Sequence, residues 1–428
     1  VGREREDAMS RRGRFTVLIV AGVLTVAGCS SGGGGGEGRT ETLADGETGP
    51  ITYVTGKDTA GWVQPTLDRW NRQHPDQQVT LIELPETAND QHNQMVINLQ
   101  ARSDRYSILY TDVVWTAEFA KSGWLEEIPR GQIPEFSGFA KGPVDSCVFE
   151  GKTWCVPAAS DGGMLYYRKD ILDQEGRQPP KNWRELEDMA RTIAPRHGLD
   201  GYFGQHAKYE GLTVNAAEAI WSAGGEILTD DGTEVVVNSE QARQGIGILE
   251  RGFKEGWIPR AAVTYMEEPA RRRFQAGRAL FMRQWPYAYS LMQQDKNIAG
   301  KFDVAPLPGP SALGGHNHAI SKFTRNKKTA LEFLKFVSTE EEQRFRLEHS
   351  TAPVTQAIYD DPRFQVRFPY LQVLGQSISS ARNRPITPHY NDVHLAIEEA
   401  IHPVEEGQKS VDDALSELEA KLRKIIAG

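Results

Sequence analysis

Cysteine is scarce, three in 428 residues, and no CxxC pair occurs, so a cysteine-built metal centre lacks its usual ligands. No block of Lys or Arg offers a surface that could track phosphates. With 49 basic against 58 acidic residues and a formal charge of −9, nucleic acid is a poor partner. HExxH is absent, which removes the usual signal of zincin chemistry. The apolar run from Phe15 to Gly28 falls short of the roughly 20 residues that span a bilayer, so cleavage is expected there rather than permanent insertion.

What is present begins at that run. Arg11, Arg12 and Arg14 precede it, and Val26-Ala27-Gly28-Cys29 closes it. This tetrapeptide resembles the bacterial lipobox, in which small residues give the peptidase access once the cysteine thiol carries lipid. Residues 1–28 then read as a lipoprotein signal peptide and Cys29 as the lipidation site, on the outer face of the cytoplasmic membrane. Ser10-Arg11-Arg12 resembles a twin-arginine signal, which leaves the export route open. Residues 1–28 carry five Arg against three acids, so their loss takes the charge from −9 to about −11.

Residues 29–49, with five consecutive glycines, read as a flexible tether that buries nothing. Gly33, Gly35 and Gly38 satisfy GxGxxG, but no strand precedes them and no helix follows. The remaining length suffices for two lobes. From Ile51 to Val114 the pattern runs strand, helix, strand, helix, strand, with Ser107 to Val114 as an almost wholly apolar strand, implying an α/β lobe. Further on, Asn182 is placed to cap a helix from Trp183, and Asp230-Asp231-Gly232 reads as a hairpin turn. Ser410 with Asp413 caps a final helix whose Leu415, Leu418 and Leu422 form a packing face. In Cys147-Val-Phe-Glu-Gly-Lys-Thr-Trp-Cys155 a hairpin turning at Glu150-Gly151-Lys152 would face the two cysteines. An even remainder in an exported chain points to a disulfide between them.

Several segments together resemble the extracellular solute-binding proteins of ABC sugar importers, the maltose- and trehalose/maltose-binding group. They are Thr111-Asp112-Val113-Val114-Trp115 with Ser122-Gly123-Trp124-Leu125, Tyr166-Tyr167-Arg168-Lys169-Asp170, Ala223-Gly224-Gly225-Glu226, Phe281-Met282-Arg283-Gln284-Trp285-Pro286-Tyr287, and Asn326 to Glu342. The resemblance implies a two-lobed periplasmic-binding-protein fold of type II, each lobe a mostly parallel sheet flanked by helices. The first lobe would comprise residues 50–158 with 319–350, and the second 159–314 with 354–428. Crossing segments are expected near Val156-Pro157-Ala158, Gly314 to Ala319 and Ser350 to Val354. A monomer that closes on a neutral disaccharide or oligosaccharide and delivers it to the ABC permease follows from the same resemblance, without enzymatic turnover, metal or cofactor.

Sugar recognition needs planar polar groups for hydroxyls and aromatic faces for C–H patches. Mapped from the family, Asp112 at the end of the third strand, Asp58 after the first and Asp161 past the first crossing are the acidic candidates. Trp285 and Tyr287 are the stacking aromatics, Arg384 the arginine that reaches across the cleft, and Trp221 and Glu267 further candidates. Each has a plainer alternative: helix cap for Asp58 and Asp112, solvated hinge acid for Asp161, core packing for the aromatics. Trp62 reads as structural. His316 and His318 form a His-x-His pair, but ligation needs three or four convergent groups, so they read as polar residues near a hinge. The competing functions are a secreted glycoside hydrolase, whose paired carboxylates any acid-rich chain could supply, and a same-fold receptor for a polyamine, metal or peptide.

Overall fold

β-Branched and aromatic residues between helical stretches form eleven strands in a computed structural model that describes residues 43–229, 232–349 and 351–427. In chain order they are β1 (Ile51–Thr55), β2 (Val79–Glu83), β3 (Ile108–Asp112), β4 (Val148–Phe149), β5 (Lys152–Thr153) and β6 (Cys155–Gly162). There follow β7 (Met164–Tyr167), β8 (Asp200–Phe203), β9 (Ala279–Gln284), β10 (Asp303–Pro306) and β11 (Leu313–Ile320). Two sheets with helices packed on them make the two lobes. The first runs β2-β1-β3-β11-β6 and the second β10-β7-β9-β8. The lipidation site, the signal peptide and the tether up to residue 42 lie outside the described residues.

The two-lobed α/β architecture is the expected one, but the sheets are mixed rather than mostly parallel. β1 pairs in parallel with β2 and β3, whereas β11 runs antiparallel to both β3 and β6. In the second sheet only β8–β9 is parallel. The reason is the route of the chain: strands that arrive through the hinge enter their sheet from the cleft end and must run against the strands already there.

Strand membership also moves the expected crossings. β6 and β11 pair with each other from Cys155–Ala319 to Gly162–Leu313, so both belong wholly to the first sheet. The chain changes sheet at Gly163 and again between Pro306 and Leu313, not at Val156–Ala158 and Gly314–Ala319. At the third crossing Ala140 N–H donates to the Val354 carbonyl and Phe139 bridges Thr355, so the first lobe holds the chain through Thr355; Ser350 lies outside the described residues.

Local signals fare better. The Asn182 side chain accepts from Glu185 N–H at 3.0 Å and starts the helix Trp183–Thr192. Ser410 Oγ accepts from Asp413 N–H at 3.1 Å ahead of Val411–Ala427, with Leu415, Leu418 and Leu422 buried. The tether expectation needs correction at its end, because Leu43 sits in a short 3-10 turn and is buried in the first lobe's core. Asp230 and Asp231 lie outside the described residues, though Leu228 and Val235 bridge as hairpin strands.

The cysteine hairpin forms one residue out of the expected register. Val148 pairs with Thr153, and Trp154 N–H donates to the Cys147 carbonyl, so Cys147 faces Trp154 rather than Cys155. Glu150 and Gly151 both take positive φ, 49° and 74°, and make a two-residue turn where three were expected. Both cysteines stand as buried free thiols, so the expected disulfide is not formed here. Burial and the neighbouring Cys155 push the Cys147 thiol well above its ordinary pKa.

Candidate functional site

A cavity of about 260 Å³ opens between the lobes, and both line it. From the first lobe come the loop after β1 with Asp58, the end of β3 with Tyr110 and Asp112, and Gly314 to His316 of β11. The second lobe supplies Tyr209 and Glu210 at the start of the helix Glu210–Ser222, Glu267 at the start of Glu267–Gln275, and Trp285 and Tyr287 just after β9. Arg384 reaches in from the segment that follows the helix Tyr370–Ser379.

Arg384 is the charged centre of the site. Only 3 % exposed, it donates from Nη2 to Asp112 Oδ1 at 2.9 Å and from Nη1 to Glu210 Oε1. Burial opposes its charge, but Asp112, Tyr390 and Glu210 outweigh that cost and raise its pKa further. Asp112 Oδ1 also accepts from Val114 N–H at 3.1 Å, so the ion pair and the helix-cap reading both hold. Asn89 strengthens the bridge between lobes, accepting from Glu210 N–H at 3.1 Å and donating to Glu398 Oε1 at 3.3 Å.

Behind this bridge Glu210, His394 and Glu398 bring one donor atom each within 4.8 Å of one another, the spacing of a metal site. The three already contact one another. His394 Nδ1 lies 2.7 Å from Glu398 Oε1 and 3.3 Å from Glu210 Oε2, and Arg384 holds the other Glu210 oxygen. Burial alone would lower the His394 pKa, yet the two carboxylates hold it above its ordinary value, so a proton serves where a cation could.

The remaining candidates divide. Trp285 and Tyr287 line the cavity, Tyr287 donating to Glu268 Oε1 at 2.9 Å. Glu267 also lines it, its pKa raised by burial, beside Tyr209. Asp58 is present, but its carboxylate accepts from the N–H groups of Ala60, Gly61 and Val63 at 3.2, 2.8 and 2.7 Å, which ties up both oxygens in the loop. Asp161 does not line the cavity. It pairs across β6–β11 with Gly314, its side chain makes no hydrogen bond or ion pair among the described residues, and burial and Asp112 push its carboxyl up to about 7. Trp221 is also elsewhere, because Glu210–Ser222 is buried almost all round; its ring lines a separate cavity under Arg382.

Several lining residues escaped the sequence reading. Tyr209 and Glu210 enter through the first turn of a buried helix. His316 stacks on Tyr110, ring centroids 4.4 Å apart, and burial lowers its pKa, leaving a neutral ring that can donate and accept. The register of β11 on β3 puts His316 opposite Asp112, and the His-x-His pair was the only local signal for it. Trp62 lines the cavity as well as packing on Tyr53 and Tyr110.

Residues 54–344 match the family described as bacterial extracellular solute-binding protein. The chain belongs to this family. Among curated relatives, a probable ABC transporter-binding protein of Deinococcus radiodurans is 32 % identical over 366 residues, covering 81 % of this chain and 86 % of its own. Among solved structures, maltose-bound MalE3 of T. maritima is 32 % identical with a TM-score of 0.83, covering 88 % of this chain and 99 % of its own. The acarbose-binding GacH receptor of Streptomyces glaucescens, 21 % identical, shares the fold with a TM-score of 0.80, covering 89 % and 99 %. This solute-binding protein is therefore of the maltose-binding type, and its relatives bind solutes rather than transform them. Among its described residues no helix is long and apolar enough to cross a membrane.

Proposed function

We propose that the protein is a lipid-anchored receptor, tethered through Cys29, that closes on a neutral α-linked disaccharide or oligosaccharide of the trehalose or maltose type and presents it to an ABC permease. The observation that carries this reading is a cleft in which aromatic faces, Trp285 and Tyr287, stand beside carboxylates most of which already have partners. Asp112 and Glu210 share Arg384, and Glu268 is paired with Arg271 at 2.7 Å. Of the lining carboxylates among the described residues, Asp112, Glu210 and Glu268 are paired with arginine, backbone N–H groups hold Asp58, and burial inclines Glu267 toward the neutral form, which leaves Glu86 alone for a cationic polyamine to meet. Neutral hydroxyls suit the remaining groups: the His316 ring, the Tyr209 hydroxyl and the Glu267 carboxyl. A volume of about 260 Å³ lies just below the roughly 300–1,000 Å³ of small-molecule sites and favours one or two sugar rings. The 32 % identity to maltose-bound MalE3 supports the same ligand class.

Closure supplies the mechanism, since a ligand touching both lobes favours the shut form by its differential affinity for it. Titrating the protein calorimetrically with maltose and trehalose, then recovering the sugar by chromatography, tests the reading. Binding heat with intact disaccharide is expected. Monosaccharide product would replace the receptor by a hydrolase, and heat with spermidine but no neutral sugar would replace the ligand class.

A further inference from the structure

Trp285 rests on a buried charge. Arg283 lies two residues earlier, next to last on β9, and its side chain is wholly buried. Its guanidinium carbon lies 3.7 Å from the centroid of the Trp285 ring, in cation–π contact. The fork cannot swing, because Nε donates to Glu218 Oε2 at 3.0 Å, Nη2 to Glu218 Oε1 at 2.7 Å and Nη1 to Gln205 Oε1 at 3.2 Å. One face of the indole is thereby covered by a rigid plane. Trp285 itself lines the cleft.

The same platform touches both places where the chain changes sheet. Glu218 Oε1 also accepts from the backbone N–H of Ala312, just before β11. A Cβ on Gly163, between β6 and β7, would stand 2.7 Å from Arg283 Nη2. A Cβ on Gly314 of β11 would stand 2.7 and 2.8 Å from Trp285 Cζ3 and Cη2, so the ring edge lies directly on hinge backbone. A salt bridge serving the core alone has no need of this position. Buried pairs of this kind often contribute little net stability, which makes orientation the better account of it.

We infer that Arg283 is a positioning residue: clamped by Glu218, it sets the tilt of Trp285 and couples whatever stacks on that ring to the hinge strand β11. For its effect on affinity the inference rests on the sugar-receptor reading. The orientation of the ring does not depend on that reading.

The test uses the full chain carrying Arg283→Met with Glu218→Gln, which removes the pair without stranding a buried carboxylate, each with and without Trp285→Phe. Trp285 emission is obtained as the difference between the Trp and Phe forms without ligand, and its quenching by acrylamide is measured. Quenching should rise at least about twofold in the paired variant. Maltose affinity should fall about tenfold, and Trp285→Phe, itself costing about tenfold in the parent, should then cost less than about threefold. Unchanged quenching, or a Trp285→Phe cost equal in both backgrounds, overturns the inference. Should the parent bind no sugar, the sugar reading fails while the quenching comparison still decides the platform. If the paired variant does not fold, Arg283→Lys, which keeps the charge and loses the planar fork, is judged by the same quenching criterion.

Discussion

Asp161 is a carboxyl on β6 whose side chain has no hydrogen-bond or ion-pair partner among the described residues, and replacing it by Asn has a calculable consequence. Burial and the nearby Asp112 push its pKa from 3.8 to about 7, with Arg283 pulling the other way. Below about pH 3 both folded and unfolded chains hold the proton, and the group is neutral in the balance. Between about pH 4 and 7 the unfolded carboxyl has released its proton while the folded one keeps it, so stability falls as pH rises. At roughly 1.4 kcal/mol per pKa unit the loss reaches an upper limit of ~4 kcal/mol above pH 7. Asn imitates the protonated form and lacks this slope. Asp161→Asn should therefore match the parent at about pH 3 and melt several degrees higher at pH 8, the gap widening steadily between. Differential scanning calorimetry at half-unit steps measures it. A gap of the same size at every pH would show a packing effect instead, and a less stable Asn variant at pH 8 would refute the reasoning.

Other perturbations have equally definite outcomes. Arg384→Ala strands Asp112 and Glu210 without their arginine, a loss of about 3–5 kcal/mol, and should also lengthen the ligand-free particle in small-angle scattering because the charged link between lobes is gone and only the Asn89 contacts remain; an unchanged scattering profile would contradict the role of that link. Leu43→Ala should cost about 2–5 kcal/mol in urea denaturation, since the side chain belongs to the first lobe's core, whereas a residue of a free tether would cost nothing. Thiol titration of the native protein should miss Cys147 and Cys155 and gain two thiols on unfolding in guanidinium; no gain would restore the disulfide.

What could be read from the sequence follows how local the determining contact is. Asn182 and Ser410 were legible as caps because their partners lie three residues away. Trp285, Tyr287, Asp112 and Arg384 were legible as cleft residues because the resemblance carried their positions along with their motifs. Leu43 was not, since a single leucine in a Gly- and Glu-rich stretch gives no periodicity, and only the distant first-lobe core explains its burial. The cysteine hairpin failed by one residue because Glu150, an unfavourable candidate for positive φ, shares the turn with Gly151. Asp161 and Trp221 were assigned by position along the chain, whereas the side on which each side chain emerges was set by the β6–β11 register and by the all-round burial of Glu210–Ser222. Tyr209 and His316 reach the site only through tertiary placement.

The hinge and the site share residues, and this predicts which substitutions can separate affinity from closure. Gly314 to His316 line the cavity while their strand carries the chain into the first sheet, so a change of backbone here alters both properties. Gly315 takes φ of 108°, which an L side chain rarely adopts, and a Cβ there would collide with the Ala159 carbonyl across β6. Gly315→Ala should shift the ligand-free distance between spin labels on the two lobes and weaken sugar binding together. Glu267 lies at a helix start away from both crossings, so Glu267→Gln should weaken binding through lost contact alone and leave the ligand-free distance unchanged. A ligand moves the equilibrium only by its differential affinity for the two forms. A Glu267→Gln variant that opened the lobes, or a Gly315→Ala variant that bound normally, would therefore show that ligand contact and hinge geometry are independent, contrary to the shared strand.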